Sequence, residues 1–379
     1  MKVLQTIISM RERLGGPSTC TCDLMDGIHK IDPEVKLMTV KCTYSDDQNL
    51  GLGSPWLIEI DNDYKTPLCF SKNAKKFLRD SEYCVYHTNT IWGYMSHITC
   101  KVAREKKRPY VISPHGMLYP TALQEKWWKK KPMLWAWYNE DIKKASCLHV
   151  TCNEEMEHCR TFGYKGPIAV IPNGVVIPSI INKDFQKHEK KTIGFLGRLD
   201  PIKKIENILI AASLIDAELD IEIIGKGDKQ YEEFLKDEVK RLGLQDRVRF
   251  LGFISGQEKY EHIARLWALF VPSVQENFGM IIPEALICCT PVYASLGTPW
   301  VELNECHCGW WRDNSPETIA KVMKTLCSLS IKEIKAMGER GRKLIEEKYE
   351  QQKVSQMMVS LYQWLIGYLS KPDFVYTKE

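Results

Sequence analysis

No stretch of this chain runs to eighteen consecutive apolar residues, which excludes a membrane-spanning helix. Its fourteen cysteines never fall into the paired C-x2-C spacing of a structural zinc site; Cys20-x-Cys22, Cys288-Cys289 and Cys306-His307-Cys308 are all spaced differently. Charge of one sign is scarce as well. Lysine and arginine total 52 against 48 acidic residues, a net +4, which argues against a dedicated nucleic-acid binder but leaves room for a local basic patch. Internal repeats and low-complexity tracts are absent, so a solenoid is not indicated. Nor does a charged-then-apolar leader precede Lys2-Val3-Leu4, which reads as the start of a first core strand. The expectation is a cytoplasmic protein with reduced thiols.

What is present is material for two cores. The chain has 379 residues, 44% hydrophobic and 26% charged, an ordinary globular composition. Short β-branched runs alternate with helical patterns: Val3 to Ser9, Lys36 to Lys41, Trp56 to Ile60, Tyr83 to His87, Tyr110 to Ser113 and Cys147 to Thr151. Such alternation argues for an α/β protein with parallel sheets covered by helices, and in these sheets ligands bind beyond the carboxyl ends of the strands. Residues 179–191 are polar and without apolar periodicity, and they read as a linker. This gives an N-terminal domain over 1–178, a second over 192–355 and a C-terminal helix over 356–379.

In the second half, Leu269 to Val271 reads as a buried strand that breaks at Pro272 into a loop carrying Glu276, Phe278 and Gly279. An apolar helix follows with Pro283 in its first turn, where a missing N–H costs nothing. Glu276 and Glu284, with seven residues between them, then bracket a helix start that could receive phosphate. Further cations stand on another strand-to-helix turn, Gly197-Arg198-Leu199-Asp200-Pro201-Ile202-Lys203-Lys204. Arg198 and Lys203 are spaced to clamp a diphosphate, one as a planar fork and the other as a point charge. Taken singly, each feature reads first as solvated charges at element ends, and only second as a binding site.

The spelling Glu276-Asn277-Phe278-Gly279-Met280-x-x-Pro283-Glu284-Ala285-Leu286 resembles the E-x7-E signature of the GT4 family of retaining glycosyltransferases. The resemblance extends over most of the chain, with several motifs in the family's order. It implies the GT-B fold: two Rossmann-like domains with parallel sheets facing across a cleft, and a last helix crossing back to the first domain. It also implies a nucleotide diphosphate sugar as donor. In that reading Glu276 holds sugar hydroxyls, Glu284 the ribose, and Phe278, Gly279 and Met280 line the same loop. Arg198 and Lys203 match the family's G-R-L-x-x-x-K-G turn on the diphosphate, but Lys204 stands where glycine is usual, which leaves open which lysine reaches the phosphate. Phe253, after the strand Arg247 to Phe253, falls where the family holds the base, and Gly225-Lys226-Gly227 reads as a turn near the nucleotide.

In the first half, Gly15-Gly16 precedes a helix over about 18–29 with Ser18 as a candidate N-cap. The glycine pair permits close approach of a ligand or simply makes a tight turn; the resemblance places it beside the acceptor and donor phosphates. Ser113-Pro114-His115-Gly116-Met117 is similar to the family's signature whose histidine faces the donor sugar. His115 is the candidate, with His87 in reserve. Same-face attack, a donor phosphate oxygen taking the acceptor proton, is what the resemblance implies for the chemistry. No D-x-D motif stands near these groups, and Asp61-Asn62-Asp63 lies elsewhere, so metal independence and no cofactor beyond the donor are expected.

Family members of this kind build surface polysaccharides on a lipid carrier, which implies a glycan or polyprenyl-diphosphate-linked acceptor. Lys126-Trp127-Trp128-Lys129-Lys130-Lys131 combines cations with indole rings, as a peripheral contact with an anionic membrane face requires. It also suits a solvated basic face with tryptophans tucked into the fold. A nucleotide-sugar epimerase of the same architecture and a non-catalytic carbohydrate-binding protein are the alternative readings.

Overall fold

The computed structural model describes residues 1–11, 16–41, 48–62, 70–125, 127–178 and 186–378, apart from the side chain of Lys129. Fourteen strands are present among them: β1 (Val3–Thr6), β2 (Val35–Val40), β3 (Leu57–Ile60), β4 (Val85–Asn89), β5 (Tyr110–Ser113), β6 (Cys147–Val150), β7 (Ile168–Val170), β8 (Thr192–Leu196), β9 (Asp220–Ile224), β10 (Val248–Gly252), β11 (Ala268–Val271), β12 (Val292–Ser295), β13 (Gly309–Arg312) and β14 (Val375–Tyr376). They form two sheets in two compact units, Met1–Gly174 with Gln351–Glu379, and Val175–Glu350.

The first unit carries the order β14-β7-β6-β5-β4-β1-β2-β3, with every pairing parallel except β14 against β7. Its strands are covered on both faces. Side chains alternate across the sheet, so Leu4, Tyr86, Ile112 and Leu148 enter one core while Val3, Val85, Val111 and Cys147 enter the other. The second core is completed by Val354, Met358 and Tyr362 of the helix Gln351–Leu365. This helix packs on Gly16–Ile31 so closely that a Cβ at Gly27 would fall 2.1 Å from Ser355 Oγ.

The second unit carries β10-β9-β8-β11-β12-β13, all parallel. Ile193, Phe195, Ile221, Ile223 and Phe270 share one core; Leu269, Val271, Val292 and Ala294 share the other with Ile282, Ala285 and Leu286. Trp310 and Trp311 are half-buried on the edge strand β13, each packed against a different one of these cores.

Several boundaries differ from the sequence reading. The units divide at Gly174/Val175 and Glu350/Gln351, against 178 and 355. The first helix starts at Gly16, so Ser18 is inside it and not its N-cap; the Ser18 hydroxyl donates to the Ser9 carbonyl at 3.1 Å. Strand ends shift by one to three residues, as frayed ends do.

Candidate active site

In the second unit the strand order reverses at β8. Strands β9 and β10 lie on one side of it and β11 to β13 on the other, so the β8/β11 junction is a topological switch point, the place where open α/β sheets hold ligands. The loops leaving those two strands are Gly197–Lys204 and Pro272–Met280. They touch through the backbone, Val274 N–H donating to the Ile202 carbonyl at 2.8 Å. Neighbouring turns close in on both sides. A Cβ at Gly225 would lie 1.8 Å from the Gly197 oxygen and one at Gly297 1.9 Å from the Val274 oxygen, so only glycine fits either place.

Across this junction Lys203 Nζ donates to Glu276 Oε1, and Ser273 Oγ donates to the same oxygen at 2.7 Å. Glu276 N–H donates to the Gly297 carbonyl at 2.8 Å, so the carboxylate is fixed at both its backbone and its head. Lys204, the other candidate cation, pairs instead with Glu206 at 3.3 Å and occupies a left-handed backbone conformation, φ 51°. That is the position where the family pattern has glycine, and the conformation is the one glycine takes without strain. Arg198 pairs loosely with Asp200 at 3.1 Å and keeps 72% of its side chain exposed.

Glu284 lies in the first turn of the helix Ile281–Ile287 and accepts from Lys259 Nζ at 2.7 Å. Lys259 belongs to the helix Gly256–Arg265 and also stacks over its neighbour Tyr260, 4.7 Å from the ring centroid. Sequence reading missed it, for a lysine on an amphipathic helix carries no local signal. The helix start is less open than expected, because the Ile282 and Glu284 amides already donate to the Gly279 and Met280 carbonyls at 2.9 and 3.2 Å. Gly279 adopts φ 76°, a turn that needs glycine. Phe278 is buried against Trp300 and Tyr349, with ring centroids 5.2 and 5.8 Å away, so its ring shapes the loop from beneath. Met280 is half-buried at the entry to the helix. Phe253 stands 66% exposed just beyond β10, while the Gly252 carbonyl before it accepts from Gly225 N–H at 2.7 Å.

In the first unit the switch point is at β1/β4, and His115 follows β5, the neighbour of β4. His115 holds φ 49°, a strained value for a side-chain-bearing residue that commonly marks functional sites. The turn is pinned from below by buried Glu155, whose carboxylate accepts from Gly116 N–H at 2.5 Å and from Thr151 N–H at 2.9 Å. His115 Nε2 is 3.5 Å from Asn89 Oδ1. Burial pushes the His115 imidazole down to about 3, so the ring is neutral. His87 is fully buried between Tyr362 and Ser113 and has no face toward a ligand. Gly16 begins the first helix with open space at its Cβ position; Gly15 lies outside the described residues.

The basic, aromatic stretch forms the helix Trp127–Met133 and a π-helical turn Leu134–Tyr138. Three of its tryptophans are not tucked in: Trp127, Trp128 and Trp135 are 59%, 62% and 83% exposed, whereas Trp137 stacks on His97 with ring centroids 5.0 Å apart. Lys131 Nζ sits 5.8 Å from the Trp127 ring, and Lys126 lies outside the described residues. No helix among the described residues is long and apolar enough to cross a membrane.

Two doubly wound units, each with polar loops at the carboxyl edge of a parallel sheet, define the GT-B class. The solved structure of Anabaena HepE in complex with UDP and glucose shares this fold, with a TM-score of 0.74 at 18% identity over 96% of this chain and 100% of that one. A family model described as Glycosyltransferase Family 4 matches residues 14–177, and one described as Glycosyl transferases group 1 matches 176–344. The chain belongs to the GT4-type glycosyltransferases. It is 28% identical over 177 residues to an uncharacterised glycosyltransferase of Methanocaldococcus jannaschii, a match spanning 46% of this chain and 45% of that protein. To the MMP alpha-(1->4)-mannosyltransferase of Mycolicibacterium hassiacum it is 23% identical over 323 residues, 80% of this chain and 76% of that one.

Proposed function

We propose that the protein transfers a hexose, with retention, from a nucleotide diphosphate sugar to a glycan or lipid-linked acceptor. The observation that carries this reading is the Lys203–Glu276 pair spanning the β8/β11 switch point. A cation and a carboxylate held there together offer charge to a leaving diphosphate and hydrogen-bond acceptors to sugar hydroxyls. Arg198, exposed on the same loop as Lys203, adds a forked donor for the diphosphate. Glu284, oriented by Lys259, is assigned to the ribose, and His115 to the sugar. The diphosphate charge is met by these two cations, so no metal is invoked. HepE binding UDP and glucose in the same fold supports the class of donor.

The exposed Trp127, Trp128 and Trp135 with Lys131 support a peripheral contact with an anionic lipid surface, where a lipid-carried acceptor would be met; Lys130 is turned inward, donating to the Ala122 carbonyl. Rings suit the interface and amines suit the headgroups.

A thermal-shift panel of nucleoside diphosphates and their sugars tests the donor assignment. A true donor at a hundredfold its Kd should stabilise the protein by about 2.7 kcal/mol. Transfer to an acceptor with the anomeric configuration kept, read by NMR, completes the test. Release of an epimerised sugar without acceptor, or no nucleotide binding at all, would replace the reading with one of its alternatives.

A further inference from the structure

Beneath the strand ends of the first unit runs a continuous chain of buried polar side chains that the transfer chemistry does not itself require. It begins at the Ile171 carbonyl, which accepts from His149 Nε2 at 2.9 Å. His149 Nδ1 is 2.7 Å from Ser113 Oγ, and that oxygen is 2.7 Å from His87 Nε2. His87 Nδ1 is 2.7 Å from the Tyr362 hydroxyl, which accepts from Gln5 Nε2 at 2.9 Å. Gln5 Oε1 accepts from Asn89 Nδ2 at 2.9 Å, and Asn89 Oδ1 faces His115 Nε2 at 3.5 Å. Gln5, His87, Asn89, Ser113 and His149 are all buried, and Tyr362 is fully so.

Proton positions along such a chain are ordinarily ambiguous, but one end of this one is fixed. A carbonyl only accepts, so His149 carries its proton on Nε2. Burial holds His149 down at about 4, so the ring is neutral and its Nδ1 is a bare lone pair. Ser113 must therefore donate to it, and having one proton, must accept from His87 Nε2. His87, likewise neutral through burial, then offers Nδ1 as an acceptor to Tyr362. The tyrosine proton is now committed. Only an amide N–H of Gln5 can face the tyrosine oxygen, which turns Gln5 Oε1 toward Asn89 and Asn89 Oδ1 toward His115. Each link has a single allowed direction, and all point the same way.

We infer that this relay sets the tautomer of His115, with Tyr362 as a positioning residue: the proton is held on Nε2, and Nδ1 is left as an acceptor for a hydroxyl of the bound sugar. The sugar contact rests on the function proposed above; the tautomer does not. The relay also gives the helix Gln351–Leu365 a second task besides packing, since it supplies the one hydroxyl that links two strand-borne histidines to Gln5. The last link, at 3.5 Å, is at the outer limit of a hydrogen bond, and sites of this kind tighten when substrate arrives.

The test is ¹⁵N spectroscopy of histidine-labelled full-length protein, with ring signals assigned by single histidine substitutions. In the wild type His115, His87 and His149 should each show the Nε2–H pattern at pH 7. Finding His115 as the Nδ1–H form, or as an even mixture, overturns the relay. In Tyr362→Phe the His115 signal should move toward a mixture, the donor KM should rise about tenfold and kcat should fall by less. A Tyr362→Phe protein that melts lower yet keeps the His115 pattern unchanged would show a packing role only, and the inference would fall. Should that variant not fold, Gln5→Met breaks the same chain at a side chain one link nearer His115, with the same two outcomes. If the wild-type pattern is as expected but His115→Ala handles donor normally, the relay stands and the sugar role of His115 is lost.

Discussion

Lys259 Nζ and Glu284 Oε1 lie 2.7 Å apart, joining the helices Gly256–Arg265 and Ile281–Ile287. Both side chains are about four-fifths buried, at 20% and 19% exposure, so the pair is held more firmly than a surface salt bridge. Glu284→Ala should weaken nucleoside diphosphate binding by about tenfold, close to 1.4 kcal/mol. Lys259→Met should weaken it by a similar factor, because a carboxylate without its partner loses its set orientation. Titration calorimetry on the two single variants and the double one decides the matter. The double variant should lose less than the sum of the singles, as coupled neighbours do.

Arg198 makes one loose contact and is mostly exposed, so its loss should leave the fold intact. Arg198→Ala is expected to keep the melting temperature within a degree or two while lowering kcat/KM a hundredfold or more, on the order of 3 kcal/mol of transition-state stabilisation. Steady-state kinetics with a donor identified by thermal shift reads this. Near-normal turnover would remove Arg198 from the diphosphate.

The two adjacent lysines separate cleanly by partner. Lys203→Ala strips the cation from Glu276 and should reduce activity by about a hundredfold, whereas Lys204→Ala should change it less than about threefold. Lys204→Gly relieves the left-handed strain at φ 51° and should be tolerated within about 1 kcal/mol; Lys204→Val, with a branched Cβ, should destabilise by more than that. Chemical denaturation compares all three. Equal activity losses at both positions would contradict the assignment.

The buried histidines set a pH limit on stability. His149 and His115 are held at about 4 and about 3, and His87 well below the 6.5 of a free imidazole. Their folded values lie below the unfolded one, so on acidification the unfolded chain binds protons first. Stability should therefore be complete above about pH 6.5 and fall as pH drops toward 4, by on the order of 3 kcal/mol for His149 alone. Melting curves across that range test the slope, which should be shallower in His149→Gln. A flat profile between pH 6.5 and 4.5 would show that these rings are not buried in neutral form.

Much of this was legible from the chain itself. Short β-branched runs identified the strands, because a strand buried on both faces is apolar throughout, and the alternation with helices implied parallel sheets. The loop glycines Gly197, Gly225 and Gly279 stand in the same segments as the charged motifs, since close backbone approach has a local spelling. Glu276, Glu284, Arg198 and Lys203 could be picked out for the same reason: each lies at an element end, where turn chemistry and charge leave a mark. What the chain could not declare is who meets whom. Which of Lys203 and Lys204 meets Glu276 depends on one left-handed residue, the Lys259–Glu284 pair on how two helices pack, and the path from His149 to His115 on strand register and on a tyrosine from a distant helix. Periodicity and turn preference are local properties of neighbouring residues, whereas a hydrogen bond between positions 87 and 362 exists only once packing has brought them together.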